Sequence, residues 1–207
     1  SMPQTHEQWT SWGPMPPEKL IGKVRRVGFN FGAPGDRVTE SGTLWLDYPS
    51  VGGPSPDQPI KVSPEKVTYR YRHSQRVKGG QGWPWIAASL AEGIESLRMK
   101  GLSKGKYLLR LTFLEPDHLL AGERVFDVLV QGKKLLSKYD VVKASGGDMR
   151  SIVESFEGIS IDDSILIKFR AIEGAPLLSG LELIREDLPT EQPIKLDERT
   201  VRFGPFR

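Results

Sequence analysis

The chain has no cysteine. Disulfide staples and thiolate metal sites are therefore excluded, stability has to come from a packed core, and the redox compartment is left open. No apolar run approaches the ~20 residues that cross a bilayer as a helix, so no membrane span is expected. Histidine is scarce, limited to His6, His73 and His118. Catalytic signatures are thin as well, with no G-x-S-x-G elbow, no H-E-x-x-H pair and no phosphate-cradling glycine loop. Charge of one sign is not gathered into a block. Lys and Arg are spread along the chain and the net charge is +3, whereas nucleic-acid binding uses a clustered basic stripe, so no nucleic-acid partner is expected. No internal repeat is evident, which argues against a propeller.

What is present is an ordinary globular composition over 207 residues, 38% hydrophobic and 27% charged. That is enough for one large domain, and all-β domains of ~200 residues are common. Residues 1–20 hold Pro3, Pro14, Pro16 and Pro17 with Trp9 and Trp12, a density of proline that prevents a regular helix or central strand. They read as an arm or linker whose tryptophans pack on the main body. The body is expected over 21–188 and a tail over 189–207. Ser1-Met2 resembles the pair left by tag removal, so a missing leader assigns no compartment.

Strand signals recur every 10 to 15 residues: Lys23–Phe31, Thr43–Tyr48, Val67–Tyr71, Trp83–Ser89, Ile94–Met99, Leu135–Val142, Arg150–Phe156 and Ile165–Ile172. Turn residues separate them, as in Ala33–Asp36 and the loop Pro49–Pro59, a spacing that predicts a β-sandwich. The strongest signal is central. Tyr107, Leu109, Leu111 and Phe113 alternate with their neighbours, and Phe126, Val128 and Val130 share a face opposite Val125, Asp127 and Leu129. This is the period of half-buried strands. The reading pairs Tyr107–Leu114 with Val125–Gln131 as adjacent strands, flanking a polar loop with Pro116, Asp117, His118 and Gly122 at a sheet edge. Ile159–Ser164 reads as a hairpin turn. It does not read as a calcium loop, because the D-x-[DN]-x-[DN]-G spacing is absent, although calcium held by backbone carbonyls would leave no such trace.

Phe113-Leu114-Glu115, a nine-residue spacer and Val125-Phe126-Asp127-Val128 resemble the centre of the malectin family. Phe29-Asn30-Phe31-Gly32 resembles its opening strand, and Leu178-Ser179-Gly180-Leu181-Glu182-Leu183 its closing strand. The resemblance spans about residues 24–186. It implies an all-β, antiparallel jelly-roll β-sandwich of the galactose-binding type that holds an oligosaccharide or polysaccharide without cleaving it and needs no cofactor. A second string, APGDRVTESGTLWLDYPSVGGPSP, resembles a segment that follows quinoprotein-type β-propellers in multidomain bacterial proteins. It implies one module of a longer, exported protein, periplasmic or secreted.

The candidate ligand-binding residues are Tyr71, His73, Trp83, Trp85, Asp117 and His118. Trp83 and Trp85, with Tyr69 and Tyr71, supply flat faces suited to the C–H face of a sugar ring. If the segment is extended, Trp83 and Trp85 share a face, but such rings serve equally as core packing. Asp117 and His118 stand where the family carries two aromatic contacts, and they would read hydroxyls through hydrogen bonds. Arg70, Arg72, His73, Arg76 and Lys78 form a basic run. It reads either as recognition of an acidic or sulfated glycan or as a strand edge charged against aggregation. Two other functions stay open: docking on a neighbouring domain of a parent chain, marked by an exposed apolar patch, and glycoside hydrolysis by Glu115 and Asp117.

Overall fold

Period-two alternation at 107–113 turns Tyr107, Leu109, Leu111 and Phe113 into the space between the sheets, although the whole of 107–114 is buried, and Phe126, Val128 and Val130 supply the facing layer. The computed structural model describes residues 7–9, 26–32, 37–39, 42–49, 60–187 and 195–196. It is an all-β sandwich. Among the described residues the larger sheet has nine strands in the order β1 (Glu7–Trp9), β3 (Arg37–Thr39), β4 (Leu44–Tyr48), β2 (Arg26–Phe31), β16 (Gly180–Arg185), β10 (Gly105–Leu114), β13 (Arg150–Ile161), β7 (Gly79–Gln81) and β17 (Lys195–Leu196). The facing sheet runs β12 (Lys133–Asp140), β11 (Val125–Val130), β14 (Ile165–Glu173), β9 (Ser96–Met99) and β5 (Ile60–Ser63). A third sheet joins β15 (Leu177–Leu178), β8 (Ser89–Glu92) and β6 (Thr68–Tyr71). Pairing is antiparallel except for β2 with β4 and β13 with β7, which run parallel. The expected turn at Ala33–Asp36 lies outside the described residues, as do most of the proline-rich arm and of the loop before Pro59.

Leu109, Leu111 and Phe113 of the large sheet meet Phe126, Val128 and Phe169 of the facing one in a single core cluster. Phe126 lies 5.8 Å from Phe113 and 6.3 Å from Phe169, ring centre to ring centre. Tilted and edge-to-face rings at such distances add to the area they bury. Tyr139 closes the cluster and donates from its hydroxyl to Glu154 across the sandwich, 3.0 Å. Burial first, and the Glu154 charge second, push its phenol up and keep it protonated.

Three sequence expectations are corrected. Tyr107–Leu114 and Val125–Gln131 do not pair. β10 sits between β16 and β13, while β11 sits between β12 and β14. Both are interior strands of opposite sheets, and the loop between them crosses the end of the sandwich. Ile159–Ser164 likewise joins β13 to β14 across sheets, so its turn closes no hairpin. Trp83–Ser89 is not a strand. Pro84 occupies the first helical position, where its fixed φ and missing N–H are best tolerated. Pro84–Ala87 forms a short helix, α1, and the strand follows at Ser89.

The outer pieces of the family-like sequence converge on α1. Asn30 is buried, donates to the Trp85 carbonyl (3.3 Å) and accepts from Ser89 Oγ (3.0 Å). Ser179 donates to the Ala87 carbonyl, 3.2 Å. A Cβ on Gly180 would stand 2.4 Å from Ile86 Cγ2, so only glycine lets the helix seat on this strand. Gly32, at φ +83, turns the chain out of β2 against the backbone carbonyls of Arg70 and Leu90.

Candidate functional site

The loop 115–124 is built on an ion pair at its base. Glu115 is fully buried, and Arg124 is buried opposite it. Arg124 Nε donates to Glu115 Oε2 at 2.6 Å and Nη2 to Oε1 at 3.3 Å. The same guanidinium donates to Glu92 Oε2 (3.0 Å), Asp117 Oδ2 (3.3 Å) and the Ala175 carbonyl. Arg70, from β6, grips Asp117 with both terminal nitrogens, Nη1 at 2.6 Å from Oδ2. The Arg70 hydrogen bond, ahead of its charge and that of Arg124, holds the Asp117 carboxyl below the usual aspartate range. Glu115 Oε1 also accepts from the Asp117 N–H, 3.1 Å. The loop is thus stapled to β6 and β8 by charge-assisted bonds, among the stronger kinds of hydrogen bond.

On the other side of the loop, α2 (Val141–Ser145) ends in a left-handed Gly146, and the chain passes Asp148 and Met149 into β13. His118 Nδ1 is hydrogen-bonded to Asp148 Oδ2, and Lys78 Nζ lies 3.4 Å from both Asp148 oxygens. Those two neighbours, His118 first, hold Asp148 below its ordinary value. The Met149 N–H donates to the Glu115 carbonyl and its carbonyl accepts from Lys78 N–H. Met149 thereby ties the loop to β7.

Between these segments lies an open cleft of about 390 Å³ lined by Arg72, Arg76, Lys78, Pro116, Asp117, His118 and Met149. His118 (φ +55) and Met149 (φ +52) both sit in the left-handed region, which costs a non-glycine residue free energy and gathers at ligand sites. His73 Nδ1 accepts from the Gln75 N–H at 3.2 Å and caps the 3₁₀ turn Ser74–Arg76 that carries Arg76 to the rim.

The six expected site residues therefore divide. Asp117 and His118 line the cleft. Tyr71 is 58% exposed and directly precedes Arg72. His73 caps the adjoining turn. The tryptophans do not join them. Trp85 is 8% exposed, with its ring edge-to-face on Trp45, 5.7 Å between centres, and Trp83 is half-buried against the same cluster. The helix begun by Pro84 turns them into packing residues, and no common extended face forms. Asp117 is also less available than expected, because Arg70 engages both of its oxygens.

Sequence reading missed Arg124, Asp148 and Met149. Arg124 had one signal, its place directly before the Val125-Phe126-Asp127-Val128 string. Asp148 and Met149 had none, because only the fold brings Met149 to the cleft and Asp148 to its residues Lys78 and His118. Asp127 of that same motif is structural. Its Oδ1 accepts from the Lys138 N–H (2.7 Å) where β12 bulges, and Oδ2 pairs with Lys134 at 3.1 Å. The Lys138 hydrogen bond chiefly lowers its pKa.

No group of three or more His, Asp or Glu side chains suited to a metal ion occurs among the described residues. No helix among them is long and apolar enough to cross a membrane.

Comparison with known proteins agrees with this fold. The extracellular domain of ANXUR2 from Arabidopsis thaliana superposes with a TM-score of 0.61 at 14% identity, over 81% of this chain and 52% of that one. A Bacteroides uniformis beta-glucuronidase gives 0.60 at 20% identity, over 79% of this chain and 18% of that one. In sequence, the kinesin-like protein KIN-14E of Oryza sativa subsp. japonica is 33% identical over 123 residues, which is 52% of this chain and 11% of that protein. The chain thus spans about half of the receptor ectodomain and a small part of the other two. Residues 93–193, from β9 through β16 and including the whole stapled loop, match the family model of the malectin domain.

Proposed function

We propose that this chain is a non-catalytic carbohydrate-binding module whose site is the cleft between residues 72–78, the loop 115–124 and Met149. The observation that carries the reading is that this cleft is built on the stapled loop within the malectin-domain match. Concave sites with a few fixed polar groups are where small ligands are held. Pro116 and Met149 form a largely buried apolar floor, Tyr71, which precedes Arg72, has an exposed ring, and His118 is an exposed hydrogen-bonding group. Asp117 accepts through whichever lone pairs Arg70 and Arg124 leave.

The carboxylates support binding over hydrolysis. Glycosidic cleavage needs one carboxylic acid to protonate the leaving group and a second carboxylate beside it. Glu115 is sealed from solvent by Arg124, and Asp117 is held ionised by Arg70. The test is a glycan array probed with the protein, followed by a reducing-end assay on every glycan bound. Binding without release is expected. Release that is lost in Asp117→Asn would overturn the non-catalytic assignment.

A second reading is favoured by Leu120, 73% exposed on the same loop. Such an apolar tip suits docking on a neighbouring domain of a longer parent chain. An exported, multidomain bacterial parent, as the propeller-linked segment implies, accommodates both readings.

A further inference from the structure

We infer that the cleft is selective for an acidic saccharide, whose carboxylate or sulfate sits between Arg72 and Arg76 while the sugar ring lies in the cleft against the exposed His118. This rests on the carbohydrate-binding reading above and specifies its ligand class.

The reasoning is a balance of charge. The cleft region holds two carboxylates, and each is already matched. Asp117 is engaged by Arg70 and Arg124, and Asp148 by Lys78 and His118. Arg72 and Arg76 are surplus. Among the described residues neither guanidinium makes a hydrogen bond or ion pair to a protein group. Arg72 only feels the charge of Asp117. A mere charged strand edge would scatter its cations toward solvent. Here Arg72 continues β6, its N–H donating to the Ala88 carbonyl, and Arg76 is placed by the turn that His73 caps. Both then line one concave surface.

Guanidinium presents paired donors that match the two oxygens of a carboxylate or sulfate. A concave surface with a surplus of positive charge also focuses its field on an incoming anion. A neutral glycan would use none of this. The replacement of family aromatics by Asp117 and His118 has the same sense, because stacking area is given up at the point where Asp117 anchors the charged framework.

The experiment is titration calorimetry on the whole chain with a matched pair, cellotetraose and the cellouronate tetramer, which differ only in oxidation at C6. Sulfated cellotetraose and inorganic sulfate serve as further probes. The expected result is at least about tenfold tighter binding of an acidic tetramer than of cellotetraose, equivalent to ~1.4 kcal/mol, shrinking as salt is raised. Arg76→Gln, an exposed substitution, and Arg72→Gln should each erase most of that preference in protein whose circular dichroism is unchanged. Preference for the sulfated over the carboxylated tetramer would identify the anion as sulfate and still support the inference. Equal binding of neutral and acidic tetramers, untouched by either substitution, would overturn it and leave carbohydrate binding standing. Inorganic sulfate binding as tightly as the acidic tetramers would overturn it too, since the sugar ring would then contribute nothing. Failure of every saccharide, on the array and here, would overturn both readings together.

Discussion

Arg124 and Glu115 clasp the two ends of one loop, with the guanidinium Nε 2.6 Å from the carboxylate and both groups buried. The pair joins the end of β10 in one sheet to the start of β11 in the other. It spans the sandwich at the point where the cleft begins.

Breaking this clasp should be costly. Arg124→Met leaves Glu115 buried with its main partner gone and also releases Glu92 and Asp117. Removal of one partner from a buried pair destabilises by about 3–5 kcal/mol. The urea midpoint of the variant should fall accordingly, whereas Glu115→Leu combined with Arg124→Met should recover much of the loss. A single variant with an unchanged midpoint would show that water reaches the pair.

Leu111 tests the inward face of β10. It is fully buried among side chains of both sheets. Leu111→Ala should cost about 2–5 kcal/mol, while Lys133→Ala, on the exposed end of β12, should stay within about 0.5 kcal/mol. Denaturant unfolding of the two variants side by side measures the contrast.

Three aspartates contribute stability that acid removes. Asp117, Asp127 and Asp148 all have folded pKa values below the ordinary one, through Arg70, the Lys138 N–H and His118 respectively. A depressed carboxyl binds its proton more readily in the unfolded chain. Its stabilisation is therefore complete above the unfolded value, about 3.9, and is lost as pH falls from there through the folded value. Urea midpoints should be flat at mildly acidic pH and drop below about pH 4. The drop should be shallower in Asp127→Asn, and an equal drop would remove Asp127 from the account.

The inward faces of β10 and β11 were legible because alternation is a local property of each strand. Their placement in opposite sheets was not. Period two says which side chains turn inward, yet a strand facing the core from above and one facing it from below carry the same pattern. The family-like motifs were legible as positions and misleading as roles. Glu115, Asp127, Asn30 and Gly180 are framework residues that staple, cap or seat elements. Trp83 and Trp85 misled because Pro84 starts a helix between them, which ends the alternation after Trp83 and turns both rings into packing. The basic run was visible, but its pairing of Arg70 with Asp117, 47 residues away, depends on the third sheet.

The cleft draws its walls from segments near residues 72–78, 116–118 and 149, hung from three separate sheets. None of these segments is close to another along the chain, so the surface forms only where these parts have folded together. Occupancy of the cleft is therefore a reporter of that assembly. A ligand captured there binds the native chain and not its unfolded form, and so raises the melting temperature in proportion to the logarithm of its concentration once the cleft is saturated. Thermal-shift screening of crude saccharide fractions thus becomes a route to the ligand that requires no prior guess at its structure.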